Sequence, residues 1–327
     1  MAALFERTQV GKREDLADYI SLVDAKDTPI VSMVPKGSPK PGNTLLQWQA
    51  DNMPSPVSTG SVDGVDVSSY ENLNSGRALI NNYIQVFQRA IRVSPLAVDV
   101  SIVAGLRDEL AGMIAKSLKL LKRDMELTVS SDNDMQADNG TVPYLTRGLG
   151  SWIQNGAQAL NPVPSAFRTP SASINTTATG SFAETDAQGV LTSIYGQTGQ
   201  FKTYDTVVGT SLKRAFSNLL YTTTASGTNQ YQSIRTLSRD ASSDVYSASV
   251  DVFNGDFGSL RLHPSTFLPN AFRGYVLDMD LLELRYTNMP EVTELPDAGG
   301  GPARLIKAVA GLVVKNPLGL GKFAASS

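Results

Sequence analysis

The chain has 327 residues, of which 41% are hydrophobic, a formal net charge of -3, one histidine and no cysteine. This charge excludes a globally basic nucleic-acid binder, and the missing cysteine excludes disulfides, thiolate catalysis and zinc–thiolate sites. The polar start MAALFERTQVGKRED does not read as a cleavable signal peptide, and the best apolar run, 306–314, is far short of the ~20 residues that cross a bilayer.

Residues 1–45 read as an arm. A short helix is expected over 13–23, with Leu16, Tyr19, Ile20 and Val23 on one side. Thr28-Pro29 is expected to end it, because the residue before proline avoids helical dihedrals. The stretch PKGSPKPGN (35–43) is extended and cannot build a core. A strand is expected at 44–48 and a second over 78–93, where Tyr83, Gln85, Phe87, Arg89, Ile91 and Val93 fall on one side by period two. The residues between are polar and rich in Gly, Pro and Ser. Together these make a long hairpin whose tip projects onto some other surface, since a loop of this length inside a compact domain needs a function. The tip is acidic, with Asp51, Asp63, Asp66 and Glu71 against Arg77, and no lysine stands between Lys40 and Lys116.

The chain is organised around 101–127. Ile102, Leu106, Leu110, Met113/Ile114, Leu121 and Met125 make one stripe of a helix roughly 40 Å long. Lys116, Lys119, Lys122 and Arg123 lie largely off the stripe, in the half favoured by the helix dipole. A turn-rich exit follows at 130–140. Trp152 reads as buried, and 163–181 as a surface loop. A helix is expected over 185–195 with Asp186 near its start, a strand over 204–209, and a helix over 211–220 with Ser211 as N-cap. This is a small α/β unit. The clearest hairpin spans 249–263, with Asn254-Gly255 at the turn, Val250 and Val252 alternating on one arm and Leu260 and Leu262 on the other. Two strand-like runs over 271–296, a glycine break at 299–301 and a terminal strand over 304–323 complete the chain. This tail holds Arg304, Lys307, Lys315 and Lys322 and no acid. No fixed-period repeat is present.

No catalytic constellation stands out. His263 beside Pro264 comes without a serine motif or an oriented acid and reads as structural or surface-exposed. Asp278, Asp280 and Glu283 resemble hard-metal ligands only in composition and fit a solvated turn better. Gly319-Leu320-Gly321-Lys322 lacks the spacing of a phosphate loop. The sequons at Asn139 and Asn175 mean little without a secretory signal. On the long helix, Asp108, Glu109, Asp124 and Glu126 interleave with the lysines, which favours a solvated face or a subunit contact over nucleic acid.

The order of arm, acidic hairpin, long helix, α/β unit and returning strands resembles the HK97-like major capsid proteins of tailed bacteriophages. Short motifs resemble one large subfamily of them. These are Gly11-Lys12-Arg13-Glu14-Asp15-Leu16 before Thr28-Pro29, Leu46-Gln47-Trp48-Gln49, Arg147-Gly148-Leu149 with Trp152-Ile153, Asp256-Phe257-Gly258, Val276-Leu277-Asp278 and Val313-Val314-Lys315-Asn316-Pro317. Met279, where that subfamily carries proline, and the diverged 163–181 depart from the pattern. The resemblance implies an α+β, HK97-like fold: an N-terminal arm (1–45), an extended β-hairpin loop (46–92), a peripheral domain with the spine helix (93–150), an α/β axial domain (151–271) and returning strands (272–327). It implies a shell protein, not an enzyme, that assembles with copies of itself into hexamers and pentamers around double-stranded DNA, with no cofactor, metal or membrane. A separate scaffolding protein and a portal are the implied partners, and the sequence leaves open whether a cementing protein joins them. Synthesis in the host bacterial cytoplasm and residence in the virion capsid are the implied locations. The lysine-free loop implies no isopeptide crosslink from it, and the arm's position implies a scaffold encoded apart. Subunit contacts are expected at Trp48, Asp51, Asp63, Asp66, Glu71, Lys116, Lys119, Lys122, Arg123 and Lys315. The acidic loop of one copy would meet the helix lysines or the basic tail of the next. An encapsulin-type compartment shares the fold and is the alternative; a tail or adhesin-type β protein is disfavoured by the long helix.

Overall fold

The computed structural model describes residues 27–74, 76–100, 109–219, 238–240, 243–245, 250–297 and 299–324. The helix expected over 13–23 lies outside them. The first described element is α1 (Pro29–Met33), so Thr28-Pro29 opens a helix where the sequence suggested an end. Proline suits the first helical position because the N–H it lacks would have no partner there.

Next come β1 (Leu45–Ala50), β2 (Ala78–Tyr83), β3 (Gln85–Arg92), α2 (Pro95–Val100) and α3 (Glu109–Ser130). The spine helix thus runs three residues past its expected end, while 101–108 lie outside the described residues. After the short α4 (Leu149–Trp152) follow β4 (Ile174–Asn175), α5 (Glu184–Thr198), β5 (Thr203–Val208), α6 (Thr210–Asn218), β6 (Ser238–Asp240) and β7 (Ser243–Val245). The chain closes with β8 (Val252–Gly255), β9 (Gly258–Pro264), β10 (Gly274–Leu277), β11 (Leu282–Leu295), β12 (Ala303–Val314) and β13 (Gly321–Phe323).

The run 78–93 is two strands, not one. β1 and β2 form a two-stranded antiparallel ribbon, Leu45 opposite Tyr83 and Ala50 opposite Ala78. At Ile84 the chain changes partner, and β3 joins β11 and β12 in a three-stranded antiparallel sheet. The change follows the side chains. Leu46 and Ile84 pack with Val309 and Val313 of β12, forming a small core where ribbon meets sheet. α3 crosses the sheet through Leu121, Met125 and Val129, all buried with Phe87, Ile306 and Ala308.

The second body is a six-stranded mixed sheet, in order β4-β13-β10-β5-β9-β8. β5 and β9 run parallel, as do β13 and β4. One face carries Tyr204, Val208, Leu260, Leu262 and Val276 against α5 and α6. The other sends Val207, Tyr275 and Leu277 into the core shared with α3, α4 and β12. Alternation along each strand thus makes two layers from one sheet.

Three local readings change. α6 is capped by Gly209, not Ser211, and a Cβ at 209 would meet the Ala271 carbonyl at 2.3 Å. The turn of the β8–β9 hairpin is Asp256-Phe257, and Gly255 pairs with Gly258 inside the ladder. Phe253, not Val252, therefore faces the core; Val252 is exposed. The 163–181 segment is no surface loop throughout, because Val163, Phe167, Thr169 and Ser173 are buried.

Candidate interaction surfaces

The acidic loop stands on a fixed base. Trp48 of β1 stacks at a tilt on buried Trp152, ring centres 5.7 Å apart, and its Nε1 donates to the Lys315 carbonyl at 3.3 Å. Asp51 pairs with Arg77 at 3.1 Å where the two chains leave the ribbon. Two expected contact residues, Trp48 and Asp51, are therefore engaged within their own subunit. Beyond them the loop has no regular structure, and Asp63, Asp66 and Glu71 are exposed. So are Met53, Val57, Val62, Val65, Val67, Tyr70 and Leu73, with Met53 and Tyr70 each 90% exposed. The loop thus holds an exposed apolar run interspersed with acids, a kind of surface that monomers seldom carry without use.

The base of the loop is locked by the Gly-Leu-x-x-Trp turn that follows the spine helix. Gly148 is required there, since a Cβ would lie 2.3 Å from the Ser131 carbonyl. Arg147 is fully buried. Its Nε donates to Asp134 at 2.7 Å, its Nη2 to the carbonyls of Leu160 and Asn161, and its guanidinium stands 4.7 Å over the Trp152 ring. Burial pushes this guanidinium below its ordinary range, opposed by Asp134.

The structure separates the two sets of cations that the sequence left open. Lys116, Lys119 and Lys122 are exposed along α3, with Arg123 half-buried beside them. Lys119, Lys122 and Arg123 line an open cleft of about 570 Å³ with Asp27, Ser32 and His263, and Lys122 Nζ donates to Ser32 Oγ at 2.8 Å. The tail cations are differently placed. Lys315 pairs with Glu283 at 2.7 Å and donates to the Asp280 carbonyl, Arg304 pairs with Glu294 at 2.7 Å, and Lys322 is buried.

Other residues the sequence singled out are also engaged. Lys202 bridges Asp278 and Asp280 at 3.0 Å each, and Glu283 lies between Lys315 and Arg285. Lys202 clamps a turn whose Asp278 is buried and whose Asp280 remains in solvent, and no metal-ligating group of three is present among the described residues. His263 Nε2 lies 3.0 Å from Asp205 on the neighbouring parallel strand, an oriented acid that the sequence did not reveal.

Sequence reasoning missed one anchor. Glu126 is fully buried, and its carboxylate accepts from the N–H groups of Ile30 at 3.0 Å and Val31 at 2.8 Å. It caps α1 from a distance of 96 residues in sequence and ties the end of the arm to the spine helix. Desolvation raises its pKa; the two amides and Lys122 oppose this. A charged residue next to the apolar stripe position Met125 was the available signal.

Among known proteins, the family model described as SU10 major capsid protein matches residues 4–326. A major capsid protein of Escherichia phage Phieco32 is 33% identical over 146 residues, which cover 42% of this chain and 38% of that relative, so the aligned part is little more than a third of its length. The solved capsid of cyanophage P-SCSP1u superposes with a TM-score of 0.63 at 10% identity over 99% of this chain and 97% of that one. The capsid of a native GTA particle gives 0.60 at 13% identity over 98% and 97%.

Proposed function

Because the chain belongs to the SU10 major capsid protein family, we propose that it builds an icosahedral phage shell by laying its acidic loop on the spine-helix cations of the next copy. It has the HK97-like fold and is a major capsid protein of a tailed phage, a structural protein of the virion. Membership in this family of phage shell proteins favours that reading over an encapsulin-type compartment. Among the described residues no helix is long and apolar enough to cross a membrane.

One observation supports the contact most directly: the loop exposes seven large apolar side chains and three acids that no described residue covers. An extended segment of this kind does not repay its ordering entropy alone. On a neighbour it would bury that surface in a repeated head-to-tail contact that closes rings. Lys116, Lys119, Lys122 and Arg123 are the favoured receivers, and Asp63, Asp66 and Glu71 the favoured donors of charge. Lys315, Trp48 and Asp51 serve the subunit that carries them. In this reading 1–45 act as the arm, 46–92 as the loop, 93–150 as the peripheral part, 151–271 as the axial part and 272–327 as the returning strands. Hexamers and pentamers would close around double-stranded DNA. A scaffold and a portal would complete the particle, with or without a cementing protein, made in the host cytoplasm.

Electron microscopy with sedimentation velocity tests this. Closed shells or five- and six-membered rings are expected from the full chain, alone or co-expressed with its scaffold. Deleting 53–69 should leave a folded monomer that no longer closes shells. Shells forming at an unchanged rate after that deletion would remove the loop from the mechanism.

A further inference from the structure

The sequon at Asn139 is also an Asn-Gly pair, and two others occur, at 155–156 and 254–255. In such a pair the glycine nitrogen can reach the asparagine side-chain amide, because glycine has no Cβ to obstruct the approach. The first pair stands at the tip of a short hairpin between α3 and α4, closed by the bridge between Gln136 and Leu145. Asn139 N donates to the Val142 carbonyl at 3.2 Å, and Gly140 takes a φ of +85°. Nothing lies within 4 Å of where a Cβ at 140 would stand, so the turn has room to rearrange.

The groups around this pair are those of an acyl transfer. The Gly140 N–H donates to Asp138 Oδ1 at 2.7 Å. The N–H groups of Thr141 and Val142 donate to Asn139 Oδ1 at 3.0 and 2.8 Å. Negative charge gathers on that oxygen when Cγ is attacked. A carboxylate on the nucleophile and two amides on the oxyanion position together make a general-base site with an oxyanion hole. Asp138, Asn139 and Gly140 are exposed, so water reaches them. The other pairs differ. Asn155-Gly156 is as exposed, but no described residue accepts from its glycine N–H or donates to its asparagine side chain. Asn254-Gly255 is held in the β8–β9 ladder opposite Ser259 and Gly258.

We propose that Asn139-Gly140 is a self-modifying site, with Asp138 as the base that drives cyclisation of Asn139 onto Gly140. The Gly140 nitrogen bonds to Asn139 Cγ while Asp138 takes its proton. The Cγ–Nδ2 bond then breaks, and Nδ2 leaves with that proton as ammonia. Water opens the resulting succinimide at either carbonyl, leaving aspartate or isoaspartate at 139. Each event adds a negative charge, and isoaspartate lengthens the main chain by one methylene. The change falls in the turn just before Thr146 and Arg147, whose N–H groups bond Gln85 and Asn82 of the β2–β3 run. This chemistry needs no second copy and is independent of shell assembly.

Site-resolved mass spectrometry of the full chain, incubated for days at neutral pH, tests it. Residue 139 should gain the mass of deamidation at least tenfold faster than residue 155 in the folded chain. The two rates should converge in guanidinium chloride, where the arrangement is lost. Asp138→Asn keeps an acceptor for the Gly140 N–H but is no base, and should slow residue 139 at least tenfold with residue 155 unchanged. A rate at 139 no greater than at 155 would overturn the proposal, as would one that Asp138→Asn leaves unchanged or raises. An advantage that persists in guanidinium chloride would place its cause in the local sequence and overturn it too.

Discussion

Lys322 shows what a single buried charge does at the junction of the two bodies. Its ammonium donates to the Gly150 carbonyl at 2.9 Å. Around it, Tyr275 donates to the Ser130 carbonyl and Arg273 to Asp132, so the end of the spine helix, α4, β10 and β13 meet at one polar knot. Burial, with Arg273 nearby, lowers the Lys322 pKa to about 8, partly offset by Asp132. In the unfolded chain the group keeps its ordinary, higher value and binds more protons than the folded form. Stability should therefore rise as pH climbs from about 8 towards 10, with a ceiling on the order of 3 kcal/mol from this one group. Urea midpoints at pH 7, 8, 9 and 10 measure it, and Lys322→Met should flatten the rise. Arg147 behaves oppositely under truncation. Arg147→Lys keeps the charge but loses the fork that holds Asp134 and two carbonyls, and should cost about 3 kcal/mol by thermal or urea unfolding. At this scale the sequence was only partly legible. Trp152 read as buried and is; Lys322 read as part of a basic tail because nothing in its neighbours announces that β13 lies inside the sheet.

The elements were easier to read than their partners. Hydrophobic spacing located the end of the spine helix, α5, β5, α6 and the β8–β9 hairpin to within a few residues. It could not show that one run over 78–93 serves two sheets, since the buried positions, Ile80, Asn82 and Ile84 before the switch and Phe87 after it, change parity only where the pairing changes. The small core at that crossing depends on Gly311 of β12, where an added Cβ would lie 2.8 Å from Leu46 Cδ1 and 3.2 Å from Ile84 Cγ2. Gly311→Val should lift the ribbon off the sheet, costing about 1–3 kcal/mol. Hydrogen exchange should then rise over β1 and β2 while β11 stays protected. Glu126 is the matching lesson for α1. A five-residue helix cannot be stable by propensity, and no local pattern predicts one whose cap comes from a helix far along the chain.

For the whole molecule, charge placement is the informative feature. Net charge describes neither the acid-bearing loop nor the cation-bearing helix, but the two together predict how assembly responds to salt. The rate of shell formation should fall as ionic strength rises, because exposed charges beyond a Debye length of about 8 Å at physiological salt are screened. Asp63→Lys/Asp66→Lys/Glu71→Lys should slow assembly at least tenfold in light-scattering kinetics while the monomer melts unchanged. The order of elements made the architecture legible, and the motif at Gly148 marked the turn that supports the loop. Which basic segment stays available was not legible, since Lys315 and Arg304 find their acids only through the β11–β12 fold. The passage of the chain through Ile84 also has a mechanical side. A tug on the loop tip travels down β2 into β3, whose eight registered pairs with β12 run antiparallel. Bonds in such a ladder lie across the strands, so a lengthwise pull loads them together instead of peeling them one by one. The loop is thereby mounted so that a lengthwise pull on it is met in shear by the whole β3–β12 ladder.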